Sequence, residues 1–162
     1  MKIIKSINNR QEDIINDILS LHNNGEPIDI DVTYSKGVFY KSGEVKQPKQ
    51  KFDLEPQTDD AIQSSSSDLP LEDESVRCSI FDPPFVIAGK TYKDNGEGSS
   101  KITKRFSAYE NYEQLKEHYG STLKELYRIT KPNGIVIMKL QNTVSGGKQH
   151  FTHFFVLQEV LS

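Results

Sequence analysis

The run Asp82-Pro83-Pro84-Phe85 is where this sequence concentrates groups able to do chemistry. Two successive prolines supply no backbone N–H and hold φ at about −65°, so the strand leading in, Val76 to Phe81, must stop there. The acid and the ring are left in a stiff turn. In an open α/β sheet such a turn lies at the carboxyl end of a strand, the side on which ligands bind. Asp or Asn, two prolines and an aromatic in that order arise by chance in roughly one chain of this length in a few hundred, so the pattern carries information. Other reactive residue types carry less. Cys78, the sole cysteine, lies inside the same strand, cannot form an internal disulfide and reads as core. His150 and His153 have no further His or Cys at ligand spacing, so no metal site is expected. His22 reads as a capping or surface residue near a helix end. Gly146-Gly147 lacks the spacing of a nucleotide-triphosphate loop.

The elements that must position the turn can be read on either side of it. Between Gln11 and Asn24 the residues Ile14, Ile15, Ile18, Leu19 and Leu21 recur at helical spacing, and Asn23-Asn24-Gly25-Glu26-Pro27 stops that amphipathic helix. Pro27 to Tyr34 alternates as a strand, and Ser35-Lys36-Gly37 turns it. Residues 38–51 lack apolar periodicity and read as a loop, locally basic through Lys41, Lys46, Lys49 and Lys51. Lys51 to Pro56 reads as a short second strand ending in acids, and a third falls near Ala61–Ser64. Residues 86–105 cannot bury enough apolar surface to hold themselves, so a mobile basic loop is expected there. Tyr112, Leu115, Tyr119, Leu123, Leu126, Tyr127 and Ile129 fit one or two helices between Tyr109 and Thr130, broken or bent near Gly120. Lys131-Pro132-Asn133-Gly134 signals a turn, and Gly134 to Leu140 a buried parallel strand. Ser145 to Lys148 reads as a loop and His150 to Ser162 as an apolar helix.

The Asp82-Pro83-Pro84-Phe85 turn, with the acids and strands before it and the Lys-Pro-Asn-Gly turn and apolar strand after it, resembles the S-adenosylmethionine-dependent N6-adenine and N4-cytosine DNA methyltransferases. The resemblance covers most of the chain. It implies a Rossmann-like class I methyltransferase fold, an α/β arrangement with a mostly parallel sheet flanked by helices, here lacking the C-terminal strand pair. It implies a catalytic role for Asp82, Pro83, Pro84 and Phe85, the acid and the first proline carbonyl accepting from the target amine and the ring stacking on the base. It implies cofactor contacts from Asp31, Thr33 and Gly37 in the first loop, where one glycine stands in place of the family's glycine-rich pattern. Asp53 or Glu55 would accept from the ribose hydroxyls, with Glu55 nearer the ligand side. Asp68 would accept from the adenine amine and Leu69 pack on its ring. Lys90, Lys93, Lys101, Lys104 and Arg105 would contact substrate phosphates.

Length and charge bound these expectations. At 162 residues the chain fits one domain, able to bury about 65–70 % of its unfolded surface. A formal net charge of −3 argues against gripping nucleic acid over the whole surface but leaves room for a local basic patch. Nothing reads as a signal peptide or a membrane span, so a cytoplasmic protein is the expectation. The functional expectation is S-adenosylmethionine-dependent methyl transfer to an exocyclic amine, N6 of adenine in DNA ahead of RNA. The alternatives are an RNA or protein amine methyltransferase and an inactive methyltransferase-like binding subunit. The abrupt C-terminus suggests a shortened chain, or a dimer whose partner covers an exposed sheet edge.

Overall fold

Val76–Phe81 forms the strand that the sequence reading places there. Every residue of it except Arg77 is buried, which is what a central parallel strand requires when both its faces are covered. The computed structural model describes residue 4 and residues 7–87 and 109–162. The strands are β1 (Ile30–Asp31), β2 (Gln50–Asp53), β3 (Ile62–Gln63), β4 (Val76–Phe81), β5 (Thr130–Met138), β6 (Thr143–Ser145) and β7 (Lys148–His150). The helices are α1 (Gln11–His22), α2 (Tyr112–Ile129) and α3 (Thr152–Leu161), with a 3-10 turn at Val38–Tyr40. Two compact units result, Met1–Phe81 with Glu125–Met138, and Asp82–Lys124 with Lys139–Ser162.

The first unit is an α/β layer. Its five strands are all parallel in the order β3-β2-β1-β4-β5, which is the order of a doubly wound nucleotide-binding sheet with its switch point between β1 and β4. Helix α1 covers one face, where Ile15 and Leu19 join Ile28, Tyr34, Phe39, Tyr40 and Val45 over Cys78 and Ile80. Burial pushes the Cys78 thiol up to about 12, so it stays a neutral core group.

Several boundaries differ from the sequence reading. The alternation from Pro27 to Tyr34 yields only two paired residues, because the Asp31 side chain folds Thr33 back in an Asx turn. Helix α2 runs through Gly120 without a break; the cost of one glycine, about 1 kcal/mol, is small beside the burial of Leu115, Tyr119, Leu126 and Ile129. The Lys131–Gly134 turn does not precede β5 but lies within it. Val76 pairs with Thr130 and Cys78 with Ile135, so four residues of β5 stand against Arg77 alone.

In the second unit Gly146 and Gly147 have φ of 56° and 72° and close the β6–β7 hairpin, where a two-residue turn of this hand needs positive φ at both positions. The glycine pair is therefore hairpin chemistry. His150, expected at the start of the last helix, ends β7 and stacks on Tyr112 at 4.1 Å. Among the described residues no helix is long and apolar enough to cross a membrane.

Candidate functional site

The carboxyl ends of β1 and β2 hold two of the acids singled out by sequence, Asp31 and Asp53. Asp31 ends β1 almost fully buried; its Oδ1 accepts from the Thr33 N–H at 2.9 Å and its Oδ2 from the Tyr40 hydroxyl at 2.8 Å. Tyr40 stacks on Tyr34 with ring centres 5.6 Å apart, and the Tyr34 hydroxyl donates to Gln47 Oε1 at 2.9 Å. Gly37 has φ of 59°, and a Cβ there would lie 2.4 Å from the Tyr34 hydroxyl oxygen. The glycine thus has a packing reason of its own, and the space expected to admit a ligand holds a phenol ring. Burial and the adjacent Asp31 carboxylate push the Tyr40 hydroxyl well above the usual tyrosine range, so it remains a donor.

Removing that donor gives a measurable result. Tyr40→Phe leaves Asp31 Oδ2 buried without it, and hydrogen bonds to charged groups contribute about 1.5–3 kcal/mol. The urea midpoint should fall accordingly with the slope unchanged. A loss under about 0.5 kcal/mol would mean that the pair contributes no more than an ordinary surface contact.

Strand β2 ends at Asp53, two residues before the acid preferred from sequence. Asp53 Oδ1 accepts from the Glu55 N–H at 2.8 Å, which turns the chain out of the strand before Pro56, and Oδ2 accepts from the Ser35 N–H at 2.7 Å. Asp53 therefore links the ends of β1 and β2, whereas Glu55 lies exposed. A carboxylate has about four acceptor positions, so Asp53 retains capacity for a vicinal diol. Beyond β3, Asp68 is exposed in a tight turn bridged to Ser65, and Leu69 is buried. The Leu69 N–H donates to Glu125 Oε1 at 2.8 Å. Arg128 holds Glu125 and Asp73 and donates to the carbonyls of Leu69 and Leu71. The acidic segment is thus clamped by the last turns of α2. The opposite charges three apart at 125 and 128 were visible in the sequence as a helix-surface pair, but their target was not.

Asp82 is peptide-bonded to the last residue of β4. Since Phe81 pairs with Met138, the next residue of each strand is Asp82 and Lys139, and Lys139 Nζ lies 3.2 Å from Asp82 Oδ2. Burial raises the Asp82 carboxyl above the usual range while Lys139 pulls it back. Pro83 is buried, and Phe85 is partly exposed. The fully buried Tyr119 of α2 donates its hydroxyl to the Pro84 carbonyl at 2.9 Å. Tyr109 ties its own N–H to the Val86 carbonyl and its hydroxyl to His118 Nδ1 at 2.6 Å. Lys139, Tyr119 and Tyr109 were not read from sequence as site residues; the cation closing an apolar run, Ile135 to Met138, was the available signal for the first. Lys90, Lys93, Lys101, Lys104 and Arg105, with nearly all of the 86–105 loop, lie outside the described residues.

Two open clefts of the first unit lie away from these acids. One, lined by Ile18, His22 and Ile135–Met138, runs between α1 and the outer strand β5. The other, about 720 Å³, sits at the amino ends of the strands between Asp29, Lys49, Arg77 and Lys131. Ligands of doubly wound sheets bind at the opposite, carboxyl ends, so the acids there outweigh cleft size as a guide. No family model matches this chain, and neither a curated protein nor a solved structure gives a match to it.

Proposed function

We propose that the chain is an S-adenosylmethionine-dependent methyltransferase of the class I fold that acts on an exocyclic amine, with N6 of adenine in DNA as the first acceptor to test. One observation carries this reading: a parallel sheet in the order β3-β2-β1-β4-β5 whose switch-point strand β4 runs directly into Asp82-Pro83-Pro84-Phe85. Asp31 is in register with Ile80, two residues before Asp82 in the chain. The donor set suits the cofactor at two points. Asp53 can take a ribose diol, and Asp68 offers an exposed carboxylate to an adenine amine. When bound, S-adenosylmethionine supplies a methyl group made electrophilic by its sulfonium.

An exocyclic amine is a poor nucleophile because its lone pair is delocalised into the ring. In this reading Asp82 and the Pro83 carbonyl accept its two N–H bonds, turn the nitrogen toward tetrahedral geometry and aim its lone pair. The proton that the nitrogen sheds on methylation would leave by way of the Asp82 carboxylate to water. Phe85 stacks on the base, which must leave a duplex to be reached.

The Tyr34 ring over Gly37 favours a second reading, a binding subunit that holds no cofactor. Calorimetric titration with S-adenosylmethionine separates the two: saturable one-to-one heat supports the enzyme, and no heat from a folded sample supports the subunit. Transfer of labelled methyl to DNA, recovered as N6-methyladenine rather than in RNA or protein, would support the acceptor.

A further inference from the structure

We propose that Lys139 is a positioning residue for Asp82: from the end of β5 it anchors one carboxylate oxygen and holds the group as an anion, the form able to accept from an amine. The catalytic consequence rests on the methyltransferase reading, whereas the pairing itself rests on geometry alone. The register fixes the two positions. Phe81 and Met138 are the last pair of β4 and β5, so the residues after them emerge side by side. Lys139 Nζ reaches Asp82 Oδ2 at 3.2 Å. The Asp82 side chain keeps 26 % of its exposure and that of Lys139 keeps 49 %, so the carboxylate is the more desolvated partner and the ammonium remains partly hydrated. That asymmetry suits a support role, since a half-hydrated cation costs little to hold in place.

The charge balance gives the pairing its function. Desolvation favours the neutral carboxyl, which would present an O–H where an incoming N–H needs an acceptor. Lys139 acts in the opposite direction, through charge and through its hydrogen bond. Among the described residues Tyr119 of α2 is a further ionisable group beside Asp82; its hydroxyl donates to the Pro84 carbonyl and stays protonated because burial, then the Asp82 charge, raise it. Residues 83–87 of the turn add no ionisable side chain. A lysine closing the apolar run Ile135–Met138 is thus matched to a carboxylate that burial pushes toward its neutral form.

The test uses the full chain as wild type, Lys139→Met and Lys139→Arg. The Asp82 carboxyl is followed by carbon NMR, with its signal assigned through Asp82→Asn, and methyl transfer is followed from pH 5.5 to 9. In Lys139→Met the Asp82 carboxyl should titrate at higher pH than in wild type, and Lys139→Arg should restore it. Methyl transfer by Lys139→Met at pH 6 should fall about tenfold, the deficit closing at high pH as the carboxyl ionises. Affinity for S-adenosylmethionine should stay within about threefold, because the variant touches the acceptor side. Identical Asp82 titration in wild type and Lys139→Met would overturn the proposal, and so would a loss of transfer equal at every pH. If wild type transfers no methyl while the titration moves as expected, the methyltransferase reading falls and the Lys139–Asp82 coupling stands. If Lys139→Met does not fold, the titration of Lys139→Gln decides in its place.

Discussion

Asp82→Ala should reduce methyl transfer by about 10²–10³-fold or more while leaving S-adenosylmethionine affinity within a few-fold. The substitution removes an acceptor aimed at the nucleophilic nitrogen. That interaction strengthens as charge develops on the amine, so its loss appears in the rate and not in cofactor binding. Asp82→Asn should fall between alanine and wild type, since its carbonyl still accepts but carries no charge. Transfer by Asp82→Ala at the wild-type rate would remove Asp82 from the mechanism. The same residue predicts a trade against stability. Its carboxyl titrates higher in the folded chain than in the unfolded one. Its contribution to stability is therefore full below the unfolded value and is lost as pH rises through the folded one. Above the folded value the ionised Asp82 is a cost to folding, and there Asp82→Asn should melt at or above the wild-type temperature. An inactive variant that is no less stable is what separates a functional carboxylate from a structural one.

The parts of the fold legible in the sequence were those fixed by local chemistry. Val76–Phe81 was legible because a buried run meets two prolines, and α1 because its five apolar residues keep helical spacing up to an Asn-Asn-Gly stop. The end of β2 was not, since Asp53 leaves the strand by bonding the backbone of Glu55, a choice that Glu55-Pro56 disguises. Gly146-Gly147 between Val144 and Gln149 carried a hairpin signal that a phosphate-loop comparison obscured. Candidate residues split in the same way. Asp31, Asp53 and Asp82 could be found because acids at strand ends are local facts. Tyr40, Tyr34, Glu125 and Lys139 act through partners between 9 and 57 residues away, which only the folded chain identifies.

The largest loss of stability should come from Gly134→Ala, in the turn that sits inside β5. Four residues, Lys131 to Gly134, stand against Arg77, and Asn133 already takes a positive φ of 60° to close the excursion. A Cβ on residue 134 would meet Thr130 Cγ2 at 2.6 Å, the Arg77 carbonyl oxygen at 2.8 Å and the Lys131 carbonyl oxygen at 2.9 Å. Two of the three are backbone atoms of β4 and of the turn itself, so no rotamer change relieves them. Overpacking of this kind costs about 1–3 kcal/mol in a core that can shift and more where it cannot. For a chain of this length that is a melting temperature lower by about 2–12 °C, with the denaturant midpoint reduced and its slope unchanged. Gly146→Ala is the control, because nothing lies within 4 Å of its Cβ and only its φ of 56° is at issue, costing about 1 kcal/mol. Equal losses from the two substitutions would mean that the turn has room to open and that its register with Arg77 is not fixed. The consequence reaches the reactive turn: if β5 slipped by one residue against β4, its side chains would exchange faces, and Met138 would no longer be the partner of Phe81. Lys139 and Asp82 would then no longer follow a matched pair. Gly134 therefore specifies, from the far end of the strand, which cation stands beside the carboxylate.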